Sequence, residues 1–229
     1  MSAPVRTRAW QAAAGVVVAG AMAYGLWYAF ATMSSEPVRR VIFSGDSAKL
    51  AASDLEAFAA GVRGLPASGE SLAAIRDAAR RIPWVREATV RRRFPDAVEV
   101  AFEAHAPLAR WSDDALVSTR GEIFNAEFAG SLPQFRGSAN TAAAMAREYP
   151  AIARALAPVA KVDELRLSPR GAWEVVLDSG LVLALGRGDI HARLARFVAA
   201  WSRLDERARA ATRADLRYAT GFALKVGPR

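Results

Sequence analysis

The chain has 229 residues, a formal net charge of +8 carried mostly by arginine, and no cysteine. That composition excludes a disulfide framework, a thiolate nucleophile and any cysteine metal site. A positive chain invites nucleic acid or anionic lipid as partners, so the placement of the charge decides what it means.

Residues 1–8 form a short basic tail with Arg6 and Arg8. Residues 9–35 then contain no charged side chain. As a helix such a run would reach about 40 Å, more than a bilayer core. Trp10 near one end and Trp27, Tyr28 and Phe30 near the other sit where interfacial aromatics belong. Ala29-Phe30-Ala31 offers a small-x-small cleavage pattern, but the apolar run is well beyond the roughly 7–15 residues of a secretory signal. The expectation is an uncleaved transmembrane helix over 9–34. The short basic tail stays in the cytoplasm and the bulk crosses the membrane, because long domains translocate largely regardless of charge.

Residues 37–105 read as a small α+β module. A strand over 38–45 ends at Gly45. Ser53 and Glu56 fit a capping box ahead of Leu55, Phe58 and Val62 at helical spacing, and Gly64-Leu65-Pro66 stops that helix. A second helix is expected from Ser71, with Leu72, Ile75, Ala79 and Ile82 on one face, ending at Pro83. Two strands follow, 86–93 and 98–104, joined through Phe94-Pro95-Asp96-Ala97 and alternating Val98, Val100 and Phe102 with polar neighbours. Arg86, Arg91, Arg92 and Arg93 are balanced by Glu87, Asp96, Glu99 and Glu103. Charge so compensated describes a solvated sheet face rather than a nucleic-acid path.

Residues 106–229 are mainly strands with helices. Short strands at 108–111, 116–118 and 122–125 suggest a meander, with Asp113 and Asp114 in a turn. A helix over 142–156 carries Met145, Tyr149, Ile152 and Leu156 on one face, and Pro150 should kink or split it. Strands at 162–167, 173–177 and 181–185 precede a long helix with Asp189 as N-cap. The last element is expected as one strand over 215–226, with Leu216, Tyr218, Phe222 and Leu224 alternating. That strand either pairs within its own sheet or offers an edge to another chain, and thin side chains at Ala219, Gly221 and Ala223 would permit close approach. Leu185–Ile190 superficially resembles a dinucleotide loop, but His191 replaces the third glycine and Asp189 puts a carboxylate where a pyrophosphate would sit. His105 and His191 have no spaced metal partner. No nucleophile, base and oxyanion donor assemble, so the reading is non-enzymatic, without metal, cofactor or small-molecule substrate.

The order of elements, with Val38-Arg39-Arg40-Val41, Gly45, Pro83-Trp84-Val85, Val90-Arg91-Arg92 and Phe94-Pro95-Asp96, resembles the POTRA domain of the bacterial FtsQ/DivIB cell-division family. Glu103–Pro107 is similar to the family's exit from that domain, with His105 where arginine is usual. Further on, Trp173-Glu174-Val175, Leu185–Asp189, Arg193–Phe197 and Asp215–Tyr218 with Gly221 resemble the family's β domain. The fold implied is a single amino-terminal transmembrane helix, a POTRA domain of β-α-α-β-β order over 37–105, and a mainly antiparallel β domain with helices over 106–229. The resemblance implies a single-pass type II protein of the bacterial inner membrane, enriched at the division septum, that links early and late division proteins. It implies FtsB and FtsL as partners of the β domain, and FtsK and other divisome proteins as partners of the POTRA and membrane segments. It places FtsB docking on Tyr218, Thr220, Gly221, Phe222, Ala223 and Leu224, with Arg170 as a further contact. Ala219-Thr220-Gly221 departs from the family's Asp-Ser-Gly, which bears on side-chain contact and not on backbone pairing. The alternative is a POTRA-bearing chaperone or polypeptide-transport component of the envelope, which tandem modules or a barrel would favour.

Overall fold

The computed structural model describes residues 17–28, 37–111 and 115–226. Helix α1 (residues 17–28) falls within the expected transmembrane run, the rest of which lies outside the described residues. Among the described residues no helix is long and apolar enough to cross a membrane. The helical part is nevertheless apolar all round, with Val17, Met22, Leu26 and Trp27 all well exposed. The chain divides into two compact units, residues 1–104 and 105–229.

In the first unit β1 (Arg40–Gly45), β2 (Val85–Arg93) and β3 (Ala97–Ala104) form a sheet of order β1-β3-β2. β1 runs parallel to β3, and β2 antiparallel to it. The parallel pair requires a crossover, which α2 (Ala52–Val62) and α3 (Gly69–Ala79) supply before β2. β3 is central because Val98, Val100 and Phe102 bury one face under those helices. Phe43, Phe58 and Phe102 lock strand to helix, with ring centroids 5.7–6.2 Å apart. On the other face Arg93 pairs with Glu99 at 2.7 Å and Arg86 with Glu103 at 3.6 Å, as the charge balance of the hairpin requires.

Both helix starts differ from the sequence reading. Ser53 lies inside α2, whose N-cap is Ala51 with no side-chain hydrogen bond, because burial of Leu50 starts the helix earlier than the capping box would. α3 starts at Gly69, where the Ser68 hydroxyl accepts from the Ser71 N–H at 3.3 Å. Ser71 is thus the capped residue rather than the start.

The second unit is one nine-stranded sheet: β4 (Pro107–Trp111), β5 (Ala115–Ser118), β6 (Ile123–Phe124), β7 (Gln134–Arg136), β8 (Val162–Leu167), β9 (Trp173–Leu177), β10 (Val182–Gly186), β11 (Ala211–Asp215) and β12 (Ala223–Val226). Their order is β12-β11-β10-β9-β8-β7-β4-β5-β6. Five neighbouring pairs are antiparallel, while β4–β7, β7–β8 and β10–β11 are parallel. The β7–β8 step is bridged by α4 (Ala142–Leu156). The β10–β11 step is bridged by α5 (Ile190–Trp201) and the short α6 (Glu206–Arg209). Met145, Ile152 and Leu156 of α4 and Leu194 and Phe197 of α5 are fully buried in one core with Phe135, Leu165, Val175 and Leu183 of the sheet. α4 runs unbroken through Pro150, since the burial of that apolar stripe outweighs the one hydrogen bond proline removes. Asp113 and Asp114 lie outside the described residues.

The expected single strand over 215–226 is two strands with a loop between them. β11 ends at Asp215, residues 216–222 turn, and β12 returns antiparallel. The alternation of Leu216, Tyr218 and Phe222 therefore spans a loop. β11 is held mainly by buried Ala211 and Ala214, residues too small to signal a strand.

Gly45 closes β1 with φ at 69°, and a Cβ there would meet the Phe102 carbonyl oxygen at 2.4 Å. Gly45→Ala is expected to lower the stability of the first unit by about 2 kcal/mol. A denaturant titration with a shift below ~0.5 kcal/mol would show that the turn relaxes instead.

Candidate partner-binding edge

β12 closes the sheet on one side, and among the described residues it pairs only with β11: Ala214 faces Leu224 and Asp215 faces Ala223. Its other side leaves backbone N–H and C=O groups facing solvent, the situation that invites an added strand. Ala223, Lys225 and Val226 are exposed, and Leu224 is half-buried against the core.

The loop before β12 is fastened from beneath. The Leu216 N–H donates to the Ala184 carbonyl at 2.9 Å, and its side chain is buried. Arg217 makes a two-pronged bond to Asp215 at 2.6 and 2.8 Å, and that guanidinium holds the Asp215 carboxyl below the usual range. Arg217 lies across Gly186, where a Cβ would stand 2.9 Å from its Cγ. From α5, Arg196 donates to the Tyr218 carbonyl at 3.0 Å, and Arg193 donates to the carbonyls of Leu185 and Arg187. α5 itself starts at Asp189, whose carboxylate accepts from the Ala192 N–H at 3.0 Å, as the sequence suggests.

The expected contact residues thus separate. Tyr218 is 55% exposed, and Ala219 and Thr220 are exposed beside it. Gly221 and Phe222 are half-buried, and Phe222 packs edge-on to Phe197 at 5.3 Å. Phe222 is part of the support rather than of the open surface. Only Ala223 and Leu224 lie on β12. Arg170 is exposed in the turn 168–171 between β8 and β9, with β10 and β11 between β9 and the edge strand. Register nevertheless brings it to the same end of the sheet: Trp173 faces Gly186, Ala184 faces Asp215, and Asp215 faces Ala223.

The uncovered face of the sheet carries a ladder that sequence reading missed. Glu164 takes Arg136 at 2.7 Å and Arg166 at 2.8 Å. Glu174 takes Arg166 and Arg213, each at 2.8 Å. Arg136, Arg166, Glu174 and Arg213 line a groove of 460 Å³ that extends to Trp173 and Arg217. Its signal was present in Glu164 and Arg166, two apart on one strand, but the partners come from three other strands. Hydrogen bonding from Arg166 comes first in holding Glu164 below its ordinary pKa, and Glu164 in turn raises that of Arg166.

Glu164→Gln is expected to cost about 1–2 kcal/mol at neutral pH. The folded carboxyl has the lower pKa, so its contribution is complete above the unfolded value near ~4.3 and is lost as pH falls through the folded one. Unfolding curves of the two proteins should therefore converge in acid. A gap that persists there would show that shape rather than charge is at work.

Comparison with known proteins finds two family models: "POTRA domain, FtsQ-type" over residues 36–103 and "Cell division protein FtsQ/DivIB, C-terminal" over residues 109–217. The chain is 42% identical over 176 residues to the cell division protein FtsQ of Bordetella pertussis, covering 67% of this chain and 64% of that one. The FtsQ of Neisseria gonorrhoeae is 39% identical over 155 residues, 66% of this chain and 64% of that one. The FtsQ of Xanthomonas campestris pv. campestris is 32% identical over 236 residues, 98% of this chain and 82% of that one. The matched stretches thus span just under two thirds of the first two relatives' length.

Proposed function

Because the chain belongs to the FtsQ/DivIB family of cell division proteins, we propose that it is a non-enzymatic scaffold of the bacterial divisome. Residues 9–34 anchor it in the inner membrane as a single-pass type II protein. Residues 1–8 are cytoplasmic, and the POTRA domain (37–105) and β domain (106–229) are periplasmic at the septum. The all-round apolar surface of α1 supports the anchor, since a helix without a polar face needs an apolar surrounding.

The β domain captures FtsB, and FtsL with it, by strand addition to β12. The observation that carries this reading is an edge strand with one free side, fed by a pinned loop that displays Tyr218. Backbone pairing along Ala223 and Leu224 would supply affinity, and Tyr218, Thr220 and Gly221 specificity. Phe222 would act indirectly, by holding the loop on α5. Arg170, at the same end of the sheet, would meet a part of the partner that runs past the edge. FtsK and other divisome members engage the POTRA domain and the membrane segment.

Tyr218→Glu is expected to weaken FtsB capture on the order of tenfold while leaving the melting temperature unchanged, since the ring is exposed and central to the display. Unchanged affinity would remove Tyr218 from the interface. Separately, amide hydrogen exchange across residues 223–226 should slow when the carboxy-terminal part of FtsB is added. Exchange that stays as fast in the complex would sink strand addition, whatever the side chains do.

A further inference from the structure

The end of the first unit where the chain arrives from its amino-terminal segment combines apolar and cationic groups. Pro37 bridges to Pro66, the Val38 N–H donates to the Leu65 carbonyl at 2.9 Å, and the Gly64 N–H donates to the Val38 carbonyl at 2.9 Å. The N–H groups of Arg39 and Arg40 both donate to the Asp96 carbonyl, at 2.8 and 3.2 Å. Two separate loops, 63–66 and 94–96, are therefore tied to the first residues after that segment.

Those loops display apolar side chains to solvent. Phe94 is 66% exposed, more than any other large apolar side chain outside residues 17–28 among the described residues, and Leu65 is 37% exposed. The Arg92 guanidinium lies over the Phe94 ring, 4.4 Å from its centroid. Around them stand Arg39, Arg40, Arg63, Arg92 and Arg93, against the carboxylates of Asp96 and Glu99. Arg40 pairs with Asp96 at 2.9 Å and Arg93 with Glu99 at 2.7 Å, so both are already neutralised. Arg39 and Arg63 are exposed.

An aromatic ring, an aliphatic side chain and surplus guanidinium on one end suit the water–lipid boundary, where apolar groups enter the headgroup layer and arginine meets phosphate. We propose that this end of the first unit seats on the surface of the bilayer, with Phe94 and Leu65 among the headgroups and Arg39 and Arg63 against anionic phospholipid. The inference rests on the reading of residues 9–34 as a membrane anchor. Val38 follows position 34 by four residue steps, a reach of at most about 14 Å. The headgroup layer itself is about 5–8 Å deep on each side. The anchor thus delivers this end to the surface, and seating would restrict how the unit tilts above it.

The absence of cysteine makes the test direct. Full-length chain carrying Leu65→Cys or, as a control, Ala48→Cys is labelled with a nitroxide and placed in nanodiscs. Ala48 is exposed in the turn that follows the far end of β1. In phosphatidylglycerol discs the label at 65 should be severalfold less accessible to an aqueous nickel chelate than the label at 48. In phosphatidylcholine discs, or after Arg39→Glu with Arg63→Glu, that protection should be lost. Equal accessibility at both positions in phosphatidylglycerol overturns the seating. Protection that is the same in both lipids overturns the role of the arginines. Alkaline extraction of the membranes separates the two readings: a chain that stays with the lipid while position 65 remains wet leaves the anchor standing and the seating refuted. A chain released by alkali refutes the anchor itself.

Discussion

Parallel pairing of β10 with β11 is the constraint from which the rest of the second unit follows. Two strands in the same direction cannot be joined by a tight turn, so the chain must leave the sheet and return. α5 makes that return, and its apolar stripe through Leu194 and Phe197 closes the core over β9 and β10. Once β11 is placed, with Val182 facing Arg213 and Ala184 facing Asp215, the chain reaches the end of the sheet at Leu216. It then has one position left, outside β11. β12 is an edge strand for that reason, and the loop before it lies over the helix that made the crossover.

The same asymmetry explains where the arginines go. α4 and α5 pack into one core with the sheet, while Arg136, Glu164, Arg166, Glu174 and Arg213 pair along and across β7, β8, β9 and β11, the Glu174–Arg213 pair reaching over β10. Guanidinium suits this role because its planar fork can bridge two carboxylates, as Arg166 does between Glu164 and Glu174. Much of the positive charge is thus internal to the fold, in ladders and in the bonds of Arg193, Arg196 and Arg217 to the loops around β12.

Particular residues show what could be read in advance. Val98, Val100 and Phe102 alternate because they line one buried face, and that pattern identified a strand with one buried side without any structure. Asp189 was legible as a cap because a short acidic side chain ahead of an apolar stripe has few other uses. Ser53 misled for a related reason: the capping box is a local preference worth about 1 kcal/mol, and burial of Leu50 decides the start of that helix instead. The exposure of Tyr218 could not be read in advance. Phe222, four residues on in the same apparent pattern, belongs to the packing around Phe197.

By itself the sequence determined the order of elements in the first unit, the faces of the long helices, the charge balance of the first hairpin and the family. Each of these depends on neighbours within a few residues, or on a period that burial imposes along one element. The tertiary structure alone decided that the last stretch is two strands, and that its outer strand is an edge. It also decided that Arg170 shares an end of the sheet with the loop before β12, and that Glu164 and Glu174 organise arginines from three strands. Those facts depend on which strands lie side by side, and strand order is set by non-local packing of whole faces rather than by any local run of residues.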